Sequence, residues 1–264
     1  MSSPLASPPM ESERARLAIS VLDLTDLADD TTADATRALC ARAAAAGTAA
    51  VCVWPRFVAG AVAALTGTPV RVATVVDFPS GTEPLDQVLA TTRTALDAGA
   101  DEIDVVLPYR AWLAGDEAAA TAVLDGVRDT ASGRVMKVII ETGELPDRAT
   151  VDRAAHLAIA HGADFVKTST GKTAVSATLE AAEIVLEAIA VSGRPVGFKA
   201  SGGIRSAADA GAYLDLAVEI MGAGWVSPAT FRFGASGLLD ALLVELTDAP
   251  AGAPGPTDGE TDGY

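Results

Sequence analysis

The chain has almost nothing from which to build a disulfide framework or a metal site. Its 264 residues include two cysteines, Cys40 and Cys52, with no CxxC spacing between them, which excludes a cysteine-stapled fold and a thiolate metal cluster. The two histidines, His156 and His161, share one helix-like stretch with no cysteine nearby, so neither zinc ligation nor a catalytic triad follows from their spacing. Cations are scarce: 19 Lys and Arg stand against 35 Asp and Glu. An acidic surface argues against nucleic acid or an anionic membrane as partner, while a small phosphorylated ligand in a local basic pocket is still allowed. The Ala-rich segments are broken by charges before they reach the ~18 apolar residues of a membrane span. The first residues, Met1–Ser12, are rich in Ser and Pro and lack the basic and apolar regions of a secretory signal. These absences predict a soluble, cytoplasmic protein.

What is present is alternation. Half of the residues are apolar, and β-type runs alternate with helical stretches. The strand candidates are Ser20–Leu24, Ala49–Trp54, Val70–Asp77, Glu102–Leu107, Val135–Thr142, Phe165–Ser169, Val196–Ala200 and Trp225–Ser227. One long helix is expected over Tyr109–Thr130. Eight βα units in this length predict an α/β fold of the closed (β/α)8 TIM-barrel type. No GxGxxG follows the first strand, which removes the usual sign of an open dinucleotide-binding sheet. The barrel is expected over residues 17–247, between a flexible segment at 1–16 and a mobile tail at 248–264.

Two strand-like runs end in lysine: Phe165-Val166-Lys167-Thr168-Ser169-Thr170-Gly171-Lys172 and Val196-Gly197-Phe198-Lys199. An ammonium at the end of an apolar run is costly to bury without a partner. Each lysine could snorkel to solvent. Two lysines converging on one pocket would instead repel, freeing one amine to attack a carbonyl as a Schiff base. Barrel enzymes place their chemistry at the C-terminal ends of strands. Asp23, Cys52, Asp104, Lys137, Lys167 and Lys199 all fall at or near such positions. Asp104, between Ile103 and Val105, requires a cation. It is either half of a structural ion pair with Lys137 or Lys199, or a proton relay at the imine nitrogen.

Three glycine-bearing turns can hold a phosphate: Gly171-Lys172, Gly202-Gly203 before the helix that opens at Ser206, and Gly234-Ala235-Ser236-Gly237 before the last helix. Backbone N–H groups at helix starts bind anions, and the last two turns follow strands seven and eight. Lys172, Arg205 and Ser236 add to that reading. Glu141 and Glu144 read as solvated loop carboxylates.

These runs together resemble the 2-deoxyribose-5-phosphate aldolases, class I lyases, over roughly Leu17 to Leu246. The resemblance rests on Asp23-Leu24-Thr25, Val51-Cys52-Val53-Trp54-Pro55-Arg56-Phe57, Gly99-Ala100-Asp101-Glu102-Ile103-Asp104-Val105-Val106 and Lys137-Val138-Ile139-Ile140-Glu141-Thr142-Gly143-Glu144-Leu145. It continues through the Lys167 and Lys199 runs and Arg232-Phe233-Gly234-Ala235-Ser236. It implies cleavage of 2-deoxy-D-ribose 5-phosphate to D-glyceraldehyde 3-phosphate and acetaldehyde, without metal or organic cofactor. Lys167 would form the Schiff base, Lys199 would lower its pKa, and Asp104 would relay protons. Asp23, Thr25, Cys52, Lys137, Thr168 and Thr170 would line the substrate pocket. Gly171, Lys172, Gly202, Gly203, Ile204, Arg205, Gly234, Ser236 and Gly237 would form its phosphate end. The similarity is to the longer bacterial-type subgroup, whose terminal tyrosine, here Tyr264, reaches the active site. It further implies a small sugar phosphate and small aldehydes as partners, and a monomer or homodimer. The chain departs from the family pattern at Ala200-Ser201, at Gly237, where a second serine is common, and at Asp77, where Asn usually precedes Phe78-Pro79.

Overall fold

The structure, a computed structural model, describes residues 12–247. Eight parallel strands pair in chain order and close into a barrel. They are β1 (Leu22–Asp26), β2 (Ala50–Val53), β3 (Arg71–Val76), β4 (Glu102–Val106), β5 (Val135–Ile139), β6 (Phe165–Lys167), β7 (Gly197–Ser201) and β8 (Phe231–Ala235). Ten α-helices alternate with them among the described residues: α1 (Ser12–Ser20), α2 (Ala33–Ala46), α3 (Val58–Ala64), α4 (Leu85–Asp97), α5 (Tyr109–Leu113), α6 (Glu117–Thr130), α7 (Arg148–Ala160), α8 (Leu179–Ser192), α9 (Ala207–Met221) and α10 (Leu238–Thr247). Val and Ile dominate the strands because both faces are covered, one by helices and one by the barrel interior.

Register decides which side chains meet inside. Partners across a parallel ladder share a face, and the ladder pairs Asp104 with Lys137, Lys167 with Lys199, Lys199 with Arg232, and Asp23 with Gly234. Charged residues from neighbouring strands therefore point together into one interior. The alternate positions face the helices: Phe231 packs edge-on against Phe198 at 5.7 Å and against Phe233 at 4.8 Å, and Phe233 against Tyr213 of α9 at 6.4 Å. Gly197 is required by a close approach, since a Cβ there would stand 2.4 Å from the Phe165 ring.

Three expectations are corrected. The eighth strand is Phe231–Ala235, not Trp225–Ser227. Trp225 to Thr230 is a tight turn instead, in which the Thr230 and Phe231 amides donate to Ser227 O and the Ser227 amide donates to Thr230 Oγ1. The helix expected over Tyr109–Thr130 is two helices, because the Asp116 carboxylate accepts from the Ala119 amide and starts α6 afresh. Residues 12–16, expected to be flexible, begin a helix. Ala15, Ala18 and Ile19 form a buried stripe at helical spacing, and Arg14 donates to Gly211 O at 3.1 Å and pairs with Asp215. The tail expected at 248–264 lies outside the described residues.

Candidate active site

Inside the barrel, seven ionisable side chains form one enclosed network, none more than 5% exposed. Asp104 lies at its centre. One carboxylate oxygen, Oδ2, accepts from Lys167 Nζ at 2.9 Å and from Lys199 Nζ at 2.8 Å; the other, Oδ1, accepts from Lys137 Nζ at 2.7 Å. Lys199 also reaches Asp23 Oδ2 at 2.5 Å. Lys137 has two further carboxylates, Glu102 at 2.5 Å and Asp23 at 3.4 Å. Arg232 completes the base of the network, with Asp23 Oδ1 at 2.5 Å and Glu102 Oε1 at 3.0 Å.

The three lysines differ in electrostatics because they differ in partners. Burial holds Lys167 below the ordinary lysine pKa; the charge of Lys199 adds to that effect, and Asp104 offsets only part of it. Burial also acts on Lys199, but Asp104 and Asp23 outweigh it and the pKa is raised. Lys137 goes well above the ordinary value, because three carboxylates overcome its desolvation. Burial would raise Asp104, yet the three lysines hold it well below the usual carboxylate range. The Cys52 thiol is pushed up by burial and by Asp104, so it stays neutral. Repulsion from Lys199 has the direction expected from sequence, but burial is the larger cause.

Adjoining the network is a cleft of about 350 Å³ lined by Thr25, Thr170, Gly171, Lys172, Ser201, Gly202, Gly203, Ile204, Arg205, Gly234, Ser236 and Gly237. The starts of α9 and α10 follow two of its turns and add the positive ends of their dipoles. Gly202 has φ +85°, and a Cβ on it would lie 2.7 Å from Ser176, so only glycine fits. Gly234 is where cleft and network meet. A Cβ there would stand 2.6 Å from Ser201 Oγ and 2.9 Å from Lys199 Cε. Lys172 Nζ donates to Leu27 O at 2.8 Å across the cleft.

Four of the expected pocket residues do not line this cleft, Asp23 being part of the enclosed network. Lys137 is wholly enclosed and bound to three carboxylates, so it holds Asp104 from below and lines no cleft. Thr168 is also enclosed, its hydroxyl accepting from the Ser201 amide at 3.0 Å, a staple between β6 and β7. Cys52 is buried behind the network. Tyr264 lies outside the described residues. Three residues not singled out from sequence belong to the site. Arg232 and Glu102 are described above. The third is Glu141, which is buried at φ +53° and accepts from the Thr170 amide at 3.3 and 3.2 Å and from Thr173 Oγ1 at 3.1 Å. It fastens the turn that carries Gly171 and Lys172.

Fold and network together define a (β/α)8 barrel that encloses a cluster of lysine and carboxylate side chains. Residues 17–242 match the DeoC/LacD family aldolases. The chain is 53% identical over 235 residues to a deoxyribose-phosphate aldolase of Agrobacterium fabrum, covering 88% of this chain and 91% of that protein. Its fold is similar to the apo form of a Toxoplasma gondii protein described as a deoxyribose-phosphate aldolase (TM-score 0.82, 27% identity, 90% and 98% of the two chains). It is also similar to the deoxyribose phosphate aldolase of Aeropyrum pernix, itself tetrameric (TM-score 0.73, 28% identity, 87% and 91%). The chain belongs to the DeoC/LacD aldolase family and is a lyase of that family. Among the described residues no helix is long and apolar enough to cross a membrane.

Proposed function

We infer that this aldolase cleaves 2-deoxy-D-ribose 5-phosphate reversibly to D-glyceraldehyde 3-phosphate and acetaldehyde through an imine on Lys167. The observation that carries this reading is the setting of Lys167, an enclosed amine whose one carboxylate partner is shared with a second lysine. Such an amine is the cluster's best nucleophile, because it gives up its proton before its neighbours do. Its nitrogen attacks C1 of the open-chain sugar, and loss of water gives the iminium. The C3 hydroxyl then loses its proton, the C2–C3 bond breaks, and its electron pair moves into the iminium to form an enamine. Glyceraldehyde 3-phosphate leaves. Protonation of the enamine carbon and hydrolysis release acetaldehyde and restore the amine. Asp104 and Lys199, both within hydrogen-bond reach of the Lys167 nitrogen or its partner oxygen, handle these protons. The glycine turns and Lys172 hold the phosphate. Two buried free thiols fit a reducing, cytoplasmic compartment.

The test is borohydride reduction in the presence of acetaldehyde, with peptide mapping of the adduct. An N-ethyl group on Lys167 is expected in the wild type, and none in Lys167→Ala or Lys167→Arg. The arginine variant is informative because guanidinium stays protonated and forms no imine. A reduced adduct on another lysine in Lys167→Ala, with cleavage retained, would overturn the assignment.

A further inference from the structure

We propose that Arg232 and Glu102, enclosed beneath the three lysines, set the charge balance of the barrel interior and thereby the pH at which Lys167 becomes a free amine. The proposal rests on the reading of Lys167 as nucleophile. It starts from a count. The charged groups facing Lys167 or linked to it come from five strands: Asp23 on β1, Glu102 and Asp104 on β4, Lys137 on β5, Lys199 on β7 and Arg232 on β8. Cys52 on β2 is the remaining titratable neighbour, and it is neutral. With Lys167 included, three carboxylates face four bases.

The interior is closed to solvent, so an excess charge is compensated inside the network or not at all. An uncompensated charge there costs several kcal/mol, which one base avoids by losing its proton. Arg232 cannot, because guanidinium does not deprotonate in proteins. Lys137 touches three carboxylates and Lys199 two. Lys167 touches one, on an oxygen it shares. The deficit therefore falls on Lys167. Arg232 makes its hydrogen bonds to Asp23, Glu102 and Pro228 O, and none to Lys167. It acts through the count, as a positioning residue, without touching the reacting atoms.

The two partners pull in opposite directions. Without the Arg232 charge, three carboxylates face three lysines, and the balanced state is the one with Lys167 protonated. Without the Glu102 charge, two carboxylates face four bases, and Lys167 sheds its proton more easily. Removing both restores the original excess of one. The experiment follows imine formation with acetaldehyde against pH, by borohydride trapping and mapping of the Lys167 adduct. It compares wild type, Arg232→Met, Glu102→Gln and the double variant. The rise of the profile should move to higher pH in Arg232→Met and to lower pH in Glu102→Gln, each by on the order of one unit. It should return near the wild-type position in the double variant. A purely structural role for the pair would slow trapping in every variant without moving the profiles in opposite directions. That outcome, or an unmoved profile, overturns the proposal. If Arg232→Met does not fold, Glu102→Gln, which keeps the shape of the side chain and removes its charge, still decides the sign: a shift upward or none overturns it. Absence of any Lys167 adduct in the wild type would overturn the proposed function, not the charge count.

Discussion

Replacing Lys199 by methionine tests the electrostatics of the site most directly. Methionine keeps an unbranched chain of similar length and removes only the charge. Lys199 and Lys167 donate to the same Asp104 oxygen, at 2.8 and 2.9 Å, which places their nitrogens roughly 5 Å apart. At an effective dielectric of about 20, two like charges at that distance repel by about 3 kcal/mol, or roughly two pKa units. The variant also leaves Asp104 Oδ2 to Lys167 alone, which moves the pKa in the same direction. Lys167 should therefore hold its proton to higher pH. Below the new pKa the free-amine fraction falls tenfold per unit, so imine formation near neutral pH should slow roughly a hundredfold. It should recover at alkaline pH. Asp23 keeps Arg232 at 2.5 Å, so the fold retains a partner for the carboxylate that loses Lys199. The assay is the trapping rate with acetaldehyde across pH. A uniform slowing with an unshifted profile would refute the electrostatic argument and leave Lys199 a role in proton transfer alone.

Two further outcomes follow from neighbouring residues. Glu141→Gln sets an amide against the Thr170 and Thr173 donors that the carboxylate now accepts, loosening the Gly171–Lys172 turn by about 1–2 kcal/mol. KM for deoxyribose 5-phosphate should rise about tenfold while kcat/KM for unphosphorylated deoxyribose stays unchanged, and equal losses on both substrates would refute the assignment. Asp77 is buried, with Oδ1 accepting from the Glu83 amide at 2.8 Å and Oδ2 without a hydrogen-bond partner among the described residues; burial pushes its pKa up to about 7. Its contribution to stability is complete below the unfolded value near 4 and is lost as pH rises through about 7. Asp77→Asn should therefore be more stable than wild type at pH 8 by on the order of 1–2 kcal/mol and show no such gain below about pH 4, where the carboxyl is neutral in both states. Equal differences in Tm at both pH values would contradict this.

The site was legible in sequence where a residue type clashed with its surroundings. Lys167 and Lys199 each close an apolar run, and Asp104 sits between Ile103 and Val105, so the cost of burying a lone charge marked all three for a shared interior. Glu102 carried the same signal, being two residues from Asp104 and hence on the same strand face. It opens the strand candidate Glu102–Leu107, at the end where a barrel does not place its chemistry, so it drew no attention. Arg232 was hidden by the choice of Trp225–Ser227 as the last strand. The alternation Phe231, Arg232, Phe233 is the better strand signal, since both rings face the helices and the charge faces inward. Glu141 had no local signal at all. A carboxylate beside Thr142 and Gly143 looks solvated until the fold brings the Thr170 amide over it. The barrel itself was readable because each βα unit repeats the same pattern, whereas α1 was lost in a segment judged by its Ser and Pro content.

The pairing of β1 with β8 has a consequence for how the enzyme comes into being. Asp23 and Arg232 lie on the first and last strands and meet only when the ring shuts. A chain whose last strand has not yet docked lacks the guanidinium and keeps three acids with three lysines. In that state Lys167 has no reason to stay unprotonated. By the charge count proposed above, the amine is freed only where β8 stands beside β1, so the trapped adduct would double as a reporter of a closed barrel.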